Sequence, residues 1–222
     1  MLEIHHGDEP EVLSEFRKNN PEPYDEDKNL WKKFRDFATK WGNGRNPLYG
    51  VLHTMQHGLC VYCERKIFAY PNTCKEGELN REIEHIRCRD KYREKMFHFP
   101  NMALACKIEG KRSQVTCGVK KNNRELPILP TEKHAHLFSL DAADGSVIPS
   151  ADIDDTDRQR VLQCIEILNL NAPALCRERA QYIDHIREAA EMGTAVLRGY
   201  IEEITRDGEP FSPTLRRFLN IS

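Results

Sequence analysis

Apolar residues recur at helical spacing in "LWKKFRDFATKW", residues 30–41, where Leu30, Trp31, Phe34, Phe37, Ala38 and Trp41 share one side of a 3.6-residue turn. After the loop "GNGRNP", the segment "LYGVLHTMQHG" repeats the pattern, with Gly58 as a helix stop. Near the other end, "DRQRVLQCIEILNLN" predicts an amphipathic helix. "APALCRERAQYIDHIREAAEMGTAVLRGYIEEI" predicts a second, longer one opened by Pro173, whose missing N–H costs nothing at a first helical turn. The middle of the chain has a shorter period. "CVYCERKI" reads as a turn between strands, "REIEHI" (81–86) and "NMALAC" (101–106) as strands, and "CGVKKNNREL" as the start of a short helix. "HLFSLDAADGSVIPS" (136–150) predicts a hairpin turning at Asp144-Gly145. The residues before about Asn29, with Pro10, Pro21, Pro23 and many charges, predict a loose extended lead-in. The expected fold class is α+β, mostly α, with a helical shell around a small cysteine-bearing insert. Three segments follow: an acidic lead-in with helices at 1–57, the insert at 58–130, and a hairpin with C-terminal helices, a candidate partner-docking region, at 131–222.

Composition narrows the class. A chain of 222 residues that is 39% hydrophobic can bury a substantial core, and 31% charged residues with a net charge of −2 describe an ordinary soluble protein. No stretch approaches the roughly 18 apolar residues of a membrane span. The opening "MLEIHHGDEPEVL" lacks the basic-then-apolar layout of a signal peptide. The expected compartment is therefore the cytoplasm, where thiols stay reduced and clustered cysteines indicate metal before disulfides. The small net charge hides an uneven distribution. Residues 79–124 carry twelve Lys and Arg against five Asp and Glu, residues 1–28 carry nine acidic groups against three basic ones, and residues 141–157 hold six aspartates with no Lys or Arg. A basic middle between acidic ends favours a polyanion-binding centre.

Candidate chemistry collects in that basic middle. Cys60 and Cys63 have the two-residue separation that lets both thiolates reach one metal from a tight turn, which is half of a tetrahedral zinc site. The other half is sought among Cys74, Cys88, Cys106 and Cys117. Cys106 ends an apolar strand and Cys117 opens a glycine-containing turn into a helix, so both can converge on the first pair. Cys74 and Cys88, in charged loops, read as ordinary thiols, and Cys164 and Cys176 as helix core residues. His53 and His57, four apart, have a metal-binding spacing but read as packing or surface residues. Glu84 and His85 are adjacent. Within a strand they would point to opposite faces, whereas at a strand end both can address one reaction centre. The carboxylate suits a hard divalent ion, and the imidazole can take a proton from water near neutral pH. Asn101 can orient the imidazole or its loop, and Asn122 can supply a further oxygen ligand from the helix that follows Cys117. Arg87, Arg89, Lys111, Lys120 and Lys121 are candidate phosphate contacts, which would carry affinity without sequence preference.

Taken together, "CVYCE…IEHI…NMALAC…CGVKKNN" resembles the HNH endonuclease motif, a ββα-metal fold held by a four-cysteine zinc knuckle. The resemblance implies structural zinc on Cys60, Cys63, Cys106 and Cys117, and a catalytic Mg²⁺ or Mn²⁺ on Glu84 and Asn122. It also implies His85 as general base and Asn101 as the residue that holds the base. Three departures stand out: Gly118 where the family often carries His or Asn, Glu84 in place of Asp, and ten residues between Cys106 and Cys117. The wider order of blocks, through "LFSLDAADGSVIP" and "IEILNLNAPALCRERAQYI", is similar to the PtuB-like HNH proteins of Septu and retron antiphage systems. That likeness implies an effector nuclease of low intrinsic sequence specificity, acting on nucleic acid (DNA before RNA) with a PtuA-like ABC-type ATPase. An RNA nuclease using the same site, such as one cutting tRNA, and a non-catalytic zinc-knuckle binding module are the alternatives.

Overall fold

The computed structural model describes residues 1–24, 29–73, 75, 78–108 and 114–221, so Cys74 and Lys111 lie outside the described residues. The fold is α+β and mostly helical. Helices α1 (Glu11–Asn19), α2 (Leu30–Trp41) and α3 (Pro47–Met55) precede strands β1 (Arg81–His85) and β2 (Met102–Cys106) and the five-residue helix α4 (Cys117–Lys121). Strands β3 (Phe138–Leu140) and β4 (Val147–Pro149) follow, then helices α5 (Asp155–Leu168), α6 (Pro173–Met192), α7 (Thr194–Ile204) and α8 (Ser212–Phe218). Each pair of strands is an antiparallel two-stranded sheet. Buried residues from all three sequence segments share one hydrophobic cluster.

Local chemistry accounts for the element ends. Asn46 caps α3 by accepting from Leu48 N–H at 3.0 Å, with Pro47 in the first turn. Asp154 caps α5 by accepting from Asp157 N–H at 2.8 Å, and α5 closes on Asn169 in the left-handed region (φ 52°). The β3–β4 hairpin turns at Asp144-Gly145 as its sequence predicts, with Gly145 at φ 74°. The long C-terminal helix does not run through. It breaks at Gly193, whose φ of 119° an L-side chain rarely adopts, and α6 and α7 pack against each other instead.

The lead-in is a second correction. Met1, Leu2 and Ile4 are buried, Leu2 N–H donates to Val61 O at 2.9 Å, and Ile4 N–H donates to Pro130 O at 2.9 Å. Residues 11–19 are helical, with Val12, Leu13 and Phe16 facing the core. Phe16 lies 5.2 Å from Phe34 and 5.1 Å from Phe97 between ring centroids, which ties α1 and α2 to the segment between β1 and β2. Burial of two alternating apolar residues plus a short amphipathic turn outweighs the charges between them.

Two buried polar side chains hold the centre. Gln56, following α3, donates to Leu59 O at 2.8 Å and to Leu104 O at 2.9 Å and accepts from Leu104 N–H at 2.6 Å, so the outer edge of β2 is satisfied. Glu64, next after Cys63, pairs with the Met1 amine at 2.8 Å and accepts from Thr214 N–H at 3.0 Å and Thr214 Oγ1–H at 2.9 Å, so both ends of the described chain meet there. Burial opposes ionisation of Glu64, but the Met1 amine and Arg217 outweigh it and lower its pKa to about 2. Burial of the neutral ring likewise holds His134 at about 4. Both shifts act in one direction: below about 6.5 the unfolded chain binds the proton that folded His134 refuses, and below 4.5 it also binds the one Glu64 refuses. Stability should therefore fall in those two steps as pH drops. Glu64→Gln should flatten the lower step in urea unfolding measured against pH; an unchanged profile would refute the assignment.

Candidate functional site

The floor of the site is the group of four thiols. Cys60 and Cys63 sit on the turn that follows α3, Cys106 ends β2 and Cys117 opens α4, with ligand atoms all within 4.8 Å of one another. The Cys60 and Cys117 sulfurs are 3.7 Å apart and the Cys63 and Cys106 sulfurs 3.6 Å apart. A tetrahedron with Zn–S bonds of about 2.3 Å has edges of about 3.8 Å, so the donor set fits one zinc ion with no open position. Cys106 N–H donates to Cys60 Sγ at 3.2 Å, and Arg65 lies beside Cys63 and Cys106 as counter-charge to the thiolates. Cys88 is buried near the upper cavity, outside the cluster, and Cys164 is core within α5. His53 Nε2–H donates to Ile67 O at 2.9 Å, a packing role.

Register places the upper groups. In β1, Glu82 pairs with Ala105 and Glu84 with Ala103, so the two glutamates share one face with small alanines opposite them, and α4 packs there. Gly118 of α4 comes so close that a Cβ on it would lie 2.5 Å from Glu84 Oε2 and 3.2 Å from Glu82 Oε1. His85, the last residue of β1, points the other way along the pleat, yet at the strand end both it and Glu84 border the same cavity of about 170 Å³. Arg89, Lys121 and Asn122 complete that cavity. Burial, followed by the neighbouring Glu84 charge, pushes Glu82 above the usual carboxylate range.

The His85 ring is fixed from two sides. Its Nε2 lies 2.9 Å from Met96 O, and because a carbonyl can only accept, Nε2 carries the hydrogen and Nδ1 keeps its lone pair in the neutral ring. Trp31 of α2 packs edge-on against it, 4.5 Å between centroids. His85 is only 7% exposed, and burial, then the charges of Arg89 and Lys121, lower its pKa to about 3. The ring is therefore neutral at pH 7.

The expected residues separate into three groups. Glu84, His85 and Asn122 come together around the cavity, and Arg89 borders it while lying over the Trp31 ring at 5.3 Å. Asn101 makes no hydrogen bond to the imidazole among the described residues. Its Oδ1 accepts from Arg87 N–H at 2.7 Å and its Nδ2 donates to Arg87 O at 3.0 Å and Lys95 O at 3.2 Å, clamping the loop that carries Met96 O. Arg87 is bound to Glu125 at 3.2 Å, and Lys120 lies on the far side of Asn122. Lys121 corrects a surface expectation: it is 1% exposed, and its Nζ donates to Glu84 Oε1 at 2.8 Å and to His85 O at 3.1 Å. Tyr62, from the knuckle turn, donates to the same Oε1 at 3.0 Å. Glu82 and Trp31 are the residues sequence reasoning passes over. The period of two along β1 signals Glu82, whereas nothing in the α2 pattern separates Trp31 from its core neighbours.

Two strands and a helix on a four-thiol floor, with a carboxylate and a neutral imidazole at one cavity, make a ββα unit suited to metal-assisted proton transfer. No protein-family model matches the chain. It is similar to a protein of Vibrio cholerae serotype O1 biovar El Tor named "Retron Vc95 putative HNH endonuclease", with 34% identity over 139 residues that make up 61% of this chain. The chain spans 62% of that relative's length. Among the described residues, no helix is long and apolar enough to cross a membrane.

Proposed function

We propose that this chain is an HNH-type endonuclease that hydrolyses phosphodiester bonds, DNA before RNA, and serves as the effector of a retron or Septu antiphage system with a PtuA-like ABC-type ATPase. The observation that carries the reading is the His85 ring, whose Nε2–H is committed to Met96 O, which leaves Nδ1 its lone pair, while the residue borders the same cavity as Glu84. In this role His85 Nδ1 accepts a proton from a water beside the phosphate. The Met96 carbonyl stabilises the imidazolium that results, and Asn101 keeps that carbonyl in place through its bonds to Lys95 and Arg87. Trp31 covers one side of the ring and keeps bulk water off it. Lys121 and Tyr62 hold Glu84 Oε1, which leaves Oε2 turned toward Gly118 and the cavity. A divalent ion held by Glu84 and Asn122 would supply charge stabilisation at the phosphoryl and leaving oxygens. The relative's name supports the nuclease class. A zinc knuckle that only binds would have no use for a buried neutral histidine beside Glu84 at the cavity.

The direct test incubates the purified zinc-loaded chain, with and without a PtuA-like ATPase, with plasmid DNA and with tRNA in Mg²⁺ or Mn²⁺. Cleavage that stops with EDTA and returns with the divalent ion is the expected result. No cleavage of either substrate under any of these conditions would overturn the assignment. Gly118→Ala probes the same geometry. Its Cβ would displace the Glu84 carboxylate, and a misplacement of this size should cost about 10²-fold in cleavage rate. Wild-type rates in that variant would refute the close approach.

A further inference from the structure

We propose that Glu82 is a second carboxylate ligand of the divalent ion, standing in for the side chain that Gly118 lacks; this rests on the nuclease reading of the Glu84–His85 cavity. The geometry comes first. Glu82 and Glu84 lie two apart on one strand face, and Glu82 Oε1 and Glu84 Oε2 both reach the place a Gly118 Cβ would fill. A helix side chain at that position would occupy this space itself. Its absence opens the space to the two carboxylates, and Asn122 borders the same cavity.

Charge makes the second carboxylate necessary. Glu84 Oε1 is engaged by Lys121 Nζ at 2.8 Å, and Lys121 is too deeply buried to swing away into solvent. That pair is neutral as a unit. Arg89 adds a positive charge to the same wall, so with Glu84 as the lone anion the cavity would repel a divalent cation. Glu82 restores the balance, and an arriving phosphate supplies the remaining negative charge. His85 provides an independent sign that a ligand belongs there. The residue is more than nine-tenths buried and lines the cavity, and its Nδ1 makes no hydrogen bond among the described residues. Glu84 Oε2 likewise accepts none among them. A side chain this buried that lines the cavity, with one ring nitrogen unused by the protein, is placed to meet an occupant supplied from outside the chain.

Mn²⁺ titration of the zinc-loaded full chain, followed by electron paramagnetic resonance, reads this without any nuclease assay. Wild type should bind one Mn²⁺ per chain. Glu82→Gln should weaken that binding at least tenfold, Glu82→Asp should recover part of it, and both variants should keep their zinc and their thermal midpoint. His85→Ala should keep Mn²⁺ binding while losing cleavage, which separates failure of this ligand assignment from failure of the nuclease reading. Wild-type Mn²⁺ affinity in Glu82→Gln, alongside lost binding in Glu84→Gln, would overturn the role of Glu82. Absence of Mn²⁺ binding in the wild-type chain would overturn it as well.

Discussion

Replacing His85 with alanine is expected to lower metal-dependent phosphodiester cleavage by about 10²–10⁴-fold, the usual contribution of a positioned general base. The residue is a strong test because three separate contacts fix its ring and the loop beside it. Met96 O fixes the tautomer, Asn101 fixes the loop that presents Met96 O, and Trp31 covers the remaining face. Removing the ring does vacate buried volume, so His85→Asn serves as the companion variant, keeping a polar side chain while lacking the base. Both should retain bound zinc and a cooperative unfolding transition. Cleavage by either variant within tenfold of wild type would remove His85 from the mechanism. The low pKa of the ring, about 3, further implies that protonation of His85 does not limit the rate between pH 5 and pH 7. An acidic arm seen there belongs to another group.

The second large effect concerns the floor of the site. Cys60→Ser should abolish zinc binding and with it the folded state, because structural zinc contributes about 10–16 kcal/mol of binding free energy in small zinc domains. That is as large as the roughly 5–15 kcal/mol by which a whole domain is stable. The four cysteines belong to three separate elements, and without metal their thiolates would sit in a buried cluster that Arg65 beside them could not offset alone. One zinc per wild-type chain by atomic absorption, none in Cys60→Ser, and loss of the thermal transition on chelation are the expected measurements. Cys164→Ser, in the core of α5, should keep its zinc and mark the difference between a ligand and a packed thiol. Full zinc occupancy in Cys60→Ser would contradict the four-thiolate site.

Much of this arrangement can be read from the residues alone, and what cannot has physical causes. The strands at 81–85 and 102–106 and the short helix at Cys117 are carried by short apolar periods and a turn, which are local signals. The four cysteines converge as their element ends suggest. The break at Gly193 is hidden because the residues around it keep helical periodicity on both sides, and a single glycine inside such a run is often tolerated. The buried N-terminal stretch is hidden because Leu2 and Ile4 become core only when Val61 and Pro130 arrive from elsewhere in the chain. Lys121 looks like a solvent-facing charge in "CGVKKNN". Only the tertiary fold shows its ammonium turned inward onto Glu84. Partners distant in sequence decide each of these, and local pattern carries no record of them.

The contact between Trp31 and His85 bears on how far the site can be regarded as a module. The residues between 58 and 130 contain the thiols, the carboxylates and the imidazole, and could be taken for a portable cassette. The wall behind the imidazole, however, comes from α2, and Tyr24 O accepts from Arg93 in the loop next to Met96. Excised or grafted alone, the cassette would present His85 to water on one face, and its pKa would drift back toward that of a free imidazole, about 6.5. Reactivity in this architecture is a property of the joint between insert and shell, and engineering that moves one without the other would carry the imidazole away from the wall that packs against it.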